Sequence, residues 1–270
     1  MRAADGILAI REQARAMSRP LSAVVVLTAV LLHAVPAFAQ TGLLERLAID
    51  RLAAVQPGAY IAGDRIKFEL ESVGGNFLLR FDSNPEIFVL YSDRASLGSR
   101  ILKYDSGETA ARVAGWGGLT LYTDSQPNGL PAVRVGDAAL QPPPTLSVGE
   151  METIAATESR RLVSSRKVRL AFTADWSVLE TSAELRVRAL DAMENAARGL
   201  DRFARTVSSR GTLSSHINAV TLATGMRPTI SLRDKTLIVT FNPERGYFGR
   251  ASSRAIARAL ATVLPSGKSN

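Results

Sequence analysis

The sequence predicts an α+β protein: an N-terminal antiparallel β sandwich or partly rolled barrel, followed by a small α+β unit with one long helix. Three observations predict it. Between residues 64 and 140, apolar and polar residues alternate in short runs, and turn residues separate the runs. A proline run, Gln141-Pro-Pro-Pro-Thr145, then breaks the pattern. Beyond it, apolar residues recur at three- and four-residue steps from Ala183 to Val207. The expected organisation is a signal peptide at 1–39, an amphipathic helix at 40–63, a β domain at 64–140, a Pro-rich linker at 141–149, an α+β domain at 150–264 and a tail at 265–270.

The N-terminus reads as an address. Arg15 and Arg19 precede an apolar run at 21–32, and Ala37-Phe38-Ala39 follows with small residues at the cleavage positions. The run is shorter than the ~20 residues that span a bilayer. Cleavage after Ala39 is expected, with a periplasmic or secreted product that has no transmembrane span; translation starts at Met1 or Met17. After the cleavage site, Leu44, Ala48, Leu52 and Val55 keep helical spacing until Pro57-Gly58 stops the helix.

The strands come next. Ile66, Phe68 and Leu70 alternate with Lys67, Glu69 and Glu71, and Phe77, Leu79 and Phe81 with Leu78 and Arg80. Further runs lie at 87–91, 101–104, 110–113, 119–122 and 132–135. Gly74-Gly75, Ser83-Asn84-Pro85, Ser106-Gly107, Gly115-Trp116-Gly117-Gly118 and Pro127-Asn128-Gly129 mark the turns. In the second half, 150–162 reads as a helix and 167–173 as a strand. Ser177 with Glu180, and Thr181 with Glu184, read as capping boxes before the long helix, which Gly211 ends. Two strands at 229–232 and 236–241 and a helix striped by Ile256, Leu260 and Val263 complete an α-β-α-β-β-α order.

Composition excludes more than it selects. The 270 residues contain no Cys and two His, so disulfides, thiol catalysis, Cys-ligated zinc and all-His metal sites are ruled out. No calcium-loop, zincin or phosphate-loop spacing appears, and neither a metal nor a cofactor is expected. The net charge is +8, and 28 of the 33 basic residues are Arg. Aromatic residues do not interleave with the densest basic cluster, Arg160 to Arg169, so nucleic acid is not an expected partner. An envelope polymer or a periplasmic protein is.

Catalytic signals are sparse. Ser164-Ser-Arg-Lys167 has the S-x-x-K spacing of a serine–lysine pair, but Lys167 opens a predicted strand and the companion motifs are missing. His216, the sole histidine after cleavage, sits in a Ser-rich segment read as a surface connection. Carboxylates such as Glu69, Glu71, Asp82, Asp105 and Asp124 would serve a glycosidase only if two of them converged. The aromatics offer a binding platform instead: Trp116 in its glycine-flanked turn, Tyr91, Tyr104 and Tyr122 near strand ends, and Arg80 and Arg112 beside them.

Three stretches, FLLRFDSNPEIFVLY at 77–91, GWGGLTLYTDSQPNGLPAV at 115–133 and TLIVTFNPERGYFGR at 236–250, resemble a family of uncharacterised secreted proteins from alphaproteobacteria. The resemblance implies an envelope location and carries no functional residues. The function is not legible in the sequence. The reading that fits best is a non-catalytic periplasmic protein that binds or scaffolds an envelope component. The alternatives are an envelope hydrolase using carboxylates or the Ser–Lys pair, and a protein-interaction or inhibitor domain.

Overall fold

The computed structural model describes residues 55–139 and 144–264; the signal peptide, the helix expected at 44–55 except for Val55, the start of the proline run and the tail lie outside them. The alternating segment closes on itself as an eight-stranded antiparallel barrel. Its strands are β1 (Gly58–Ala62), β2 (Ile66–Val73), β3 (Asn76–Phe81), β4 (Asn84–Arg94), β5 (Arg100–Tyr104), β6 (Thr109–Val113), β7 (Leu119–Thr123) and β8 (Gln126–Gly136). Each pairs with the next, and β8 returns to β1 with Ile61 opposite Val133. Closure removes both sheet edges. Inward-facing Phe68, Leu70, Leu79, Phe88, Leu90, Leu102 and Leu121 fill the interior. Lys67, Glu69, Arg80, Lys103 and Arg112 take the alternate positions. This is the reverse of a lipid-facing barrel, whose exterior is apolar.

Two local signals were decided by pairing. The first strand lies in a stretch expected to end the N-terminal helix: Ala59-Tyr60-Ile61-Ala62 is apolar throughout and shows no alternation, but it completes the barrel. Pro127, Asn128 and Gly129 are not a turn. The chain reverses at Asp124-Ser125, and Gly129 sits inside β8 at φ 82°, where a Cβ would stand 2.6 Å from Thr120 Cγ2.

Up-and-down connectivity gives the barrel two distinct ends. The loops at 63–65, 82–83, 105–108 and 124–125 form one end, called the upper end. Those at 74–75, 95–99 and 114–118 form the lower end.

The second half is a helix-covered mixed sheet. Helix α1 (Val148–Arg166) starts in a full capping box, Ser147 with Glu150, and ends at Lys167 in the left-handed region. Strand β9 (Ala171–Ala174) follows, later than expected because Lys167 terminates the helix. Then come α2 (Trp176–Glu180), α3 (Ala183–Phe203), α4 (Val207–His216), strands β10 (Ala219–Thr224), β11 (Thr229–Arg233) and β12 (Thr236–Phe241), a 3₁₀ segment (Pro243–Gly249) and α5 (Ser253–Val263). Strand order is β11-β12-β10-β9, with β10 parallel to both neighbours. The caps fall one or two residues from the expected places: Asp175 caps α2 and Ser182 caps α3. The long apolar stripe is also two helices. Thr206 accepts from the Ser209 backbone N–H and starts α4, because a Thr side chain offers the backbone an alternative to helix continuation. Gly211 lies within α4, and β10 was hidden behind this misread connection.

Helix α3 is the spine of this half. Ala189, Met193, Ala196, Ala197 and Leu200 are buried against the sheet and neighbouring helices. At Gly199 it crosses α5 so closely that a Cβ would meet Ile256 Cγ2 at 2.6 Å.

Candidate functional site

The upper barrel end and the second half meet in a charged seam. Glu86, at the start of β4, has the inward-facing parity of Phe88 and stands above it in the barrel mouth. Its Oε1 accepts from the Ser253 backbone N–H at 2.7 Å, and its Oε2 from the Ser253 hydroxyl at 2.6 Å. Asp105 does the same for Ser252, accepting from its N–H at 2.7 Å and its hydroxyl at 2.5 Å. Two barrel carboxylates thus satisfy the free N–H groups of α5 and meet the positive end of its dipole. Burial pushes the Glu86 carboxyl above its ordinary range, and the bonds from Ser253 and the charge of Arg250 only partly offset that. Arg250 is buried as well. It binds Asp191 of α3 at 2.7 Å and the Ile87 carbonyl of the barrel at 2.5 Å.

Beside this seam the barrel mouth opens into a cleft of about 440 Å³. Its floor is aromatic. Rings run in continuous contact from Tyr60 through Phe68, Phe81 and Phe88 to Tyr104, at centroid separations of 5.3 to 6.3 Å. Its rim is cationic: Arg202 from the end of α3, Arg205 from the turn that follows it, and Arg254 from α5. Arg254 lies 4.3 Å from the Tyr104 ring centroid, a cation–π contact. An adjoining cleft of about 310 Å³ shares Asn84, Arg202 and Arg205 and adds Arg161 and Arg198.

One carboxylate anchors the rim. Asp124, at the β7–β8 turn, receives Arg254 at 2.5 Å, Arg202, and Arg205 at 3.5 Å. Burial raises its pKa, but Arg254 and Arg202 together outweigh burial and hold it below the ordinary value. Arg254 also binds Glu108 at 2.5 Å, so three guanidinium groups share two carboxylates and the rim keeps one surplus positive charge. Two polar atoms at the floor are buried without a protein hydrogen-bond partner, the Tyr104 hydroxyl and Arg254 Nε. Burial pushes the Tyr104 hydroxyl up to about 12, so it is a donor at any physiological pH. An unpaired buried donor is costly, and a ligand oxygen would satisfy it.

The six residues expected to bind are spread over the barrel. Tyr104 is in the cleft floor. Tyr91 is on the neighbouring strand β4, opposite Lys103, with its ring edge-on to Phe248. Arg80 pairs with Glu69 at 2.7 Å on the outer wall. Tyr122 packs over Gly129 on β7. Arg112 and Trp116 belong to the lower end, opposite Tyr104. The cleft arginines 202, 205 and 254 went unnoticed because they sit on two helices and a turn far apart in sequence from the barrel strands they face.

Other catalytic signals resolve into local structure. The Ser164 hydroxyl donates to the Arg161 carbonyl, and Lys167 is the C-cap of α1. His216 is the last residue of α4, not a loop residue; its Nδ1 lies 2.9 Å from both the Thr212 carbonyl and the Ser215 hydroxyl. Both Glu86 oxygens are taken by Ser253.

Comparison with known proteins adds a family and nothing further. No curated protein and no solved structure matches the chain. All three stretches that carried the resemblance to an uncharacterised family fall within one matched span: the model for a domain of unknown function, DUF4908, covers residues 43–260, and the chain belongs to that family.

Proposed function

We propose that the protein is an exported, non-catalytic binding protein of the cell envelope, which holds an anionic ligand with an apolar or aromatic body at the upper barrel mouth. Export is supported by the apolar run at 21–32 and the Ala37-Phe38-Ala39 site. One observation carries the binding reading: Arg202, Arg205 and Arg254 converge over an aromatic floor that contains the unpartnered Tyr104 hydroxyl. The rim would take the anion by charge-assisted hydrogen bonds, and Phe81, Phe88 and Tyr104 would cover the apolar part. The barrel interior itself is filled by side chains, so the ligand sits at the mouth and not inside.

The test uses anilinonaphthalene sulfonate, an aromatic body with one anionic group, and follows its fluorescence. Saturable one-to-one binding is expected, displaced by decanoate but not by inorganic phosphate alone. Arg202→Gln with Arg205→Gln should weaken it at least about tenfold in protein that is still folded by circular dichroism, the loss of one or two charge-assisted bonds. Binding that is absent, or indifferent to both substitutions, overturns the reading.

A further inference from the structure

The lower barrel end carries a feature that the cleft does not explain. Two large apolar side chains stand almost fully in solvent at neighbouring loop tips: Leu97 is 92% exposed and Trp116 82%. The loops touch, since a Cβ on Gly115 would lie 2.3 Å from the Leu97 carbonyl oxygen. Leu97 is moreover held at φ 57° and ψ 36°, the left-handed region that costs a non-glycine residue energy. The fold therefore spends strain to display a leucine that it does not bury. Val133 and Val135 on β8 extend the apolar surface, at 67% and 59% exposure.

Basic residues outnumber acidic ones around these tips, where Asp93 is paired with Lys103 and Asp137 with Arg134. Arg100 stands at the start of β5, next to the 95–99 loop and opposite Arg94 of β4. Arg112 is exposed on β6, opposite Ile101. No Asp or Glu occurs in the stretches 94–104 or 109–123. Apolar tips ringed by arginine fit a planar surface with an anionic face and an apolar layer beneath it. Tryptophan favours the headgroup level of a bilayer, leucine favours the acyl region, and each Arg near an anionic leaflet adds attraction. A protein partner would be expected to present carboxylates in a shaped recess; two convex tips on separate loops match a soft, flat surface better.

We infer that the lower end of the barrel docks on an anionic phospholipid bilayer, with Leu97 inserting below the headgroups, Trp116 seated at their level, and Arg100 and Arg112 binding the phosphates. The upper mouth then faces away from the membrane. This inference does not depend on the ligand proposed for that mouth.

The chain has two tryptophans, Trp116 and Trp176, so the Trp176→Phe protein reports on Trp116 alone. Full-length Trp176→Phe protein is mixed with vesicles of phosphatidylglycerol and phosphatidylcholine whose acyl chains are brominated. Trp116 emission should shift to the blue and be quenched. The effect should weaken with added salt and be absent with phosphatidylcholine alone. Leu97→Ser should weaken the vesicle affinity read from quenching about tenfold, as expected for one leucine side chain. Arg100→Gln with Arg112→Gln should weaken it about thirtyfold, the summed attraction of two arginines for an anionic leaflet. Because the readout is local to Trp116, binding through residues 21–32 cannot imitate it. Trp116 emission unchanged by anionic vesicles, or quenched equally in phosphatidylcholine, overturns the inference; so does Trp116 protection by a soluble periplasmic protein but not by lipid.

Discussion

Ser253 gives Glu86 two hydrogen bonds, one from its backbone N–H and one from its hydroxyl, across 167 residues of sequence. This contact fixes the start of α5 in the barrel mouth, and with it the position of Arg254 over Tyr104.

The first prediction follows from that contact. Glu86→Ala removes both acceptors and leaves a buried N–H and hydroxyl unpaired, so unfolding free energy should fall by about 1–3 kcal/mol. Chemical denaturation measures it. A change under about 0.5 kcal/mol, within the range of an ordinary surface substitution, would mean that the contact is not formed in solution.

Two carboxylates at the seam predict opposite pH effects. Asp124 is held below its ordinary value of 3.8, so its contribution is present above that value and lost as pH falls through the lower, folded value. Glu86 is raised above its ordinary 4.5, so its contribution is complete below 4.5 and declines as pH rises through the raised, folded value. Melting temperature against pH should therefore lose its acid limb in part in Asp124→Asn, and part of its decline above pH 4.5 in Glu86→Gln. Parallel curves for all three proteins would refute both assignments.

Proteolysis between residues 136 and 147 should cut the chain without separating it. The proline run is the expected linker, yet Glu86–Ser253, Asp105–Ser252 and Arg250–Asp191 tie elements on its two sides or support that seam. Size-exclusion chromatography of the nicked protein should give one peak containing both fragments. Two separated peaks would show that the halves are independent domains.

Gly199→Val tests the helix crossing. Added methyl groups would run into Ile256, and overpacking of this kind costs about 1–3 kcal/mol. Gly211→Ala, at a site where a Cβ meets nothing within 4 Å, should be neutral or slightly stabilising. Thermal melts of the pair separate a packing effect from a general intolerance of glycine substitution.

The α+β class and most strand positions were legible in the residues alone. Alternation such as Phe68-Glu69-Leu70 is local, and the pleat converts it directly into an inside and an outside. It did not determine that the sheet closes. Closure depends on β1 finding β8, a pairing of residues 70 to 77 positions apart, and β1 carries no alternation to announce itself. Two residues of the candidate site were singled out in the sequence, Tyr104 for binding and Asp124 as a carboxylate. Their companions Arg202, Arg205 and Arg254 read as ordinary solvated charges on helix faces until tertiary packing set them over the barrel mouth. The same holds for Leu97, an unremarkable apolar residue in the sequence. Only the pairing of β4 with β5 and the meeting of two loops leave it in solvent beside Trp116. Local pattern fixes what a side chain can do; which groups it does it with is set by contacts between residues distant in sequence.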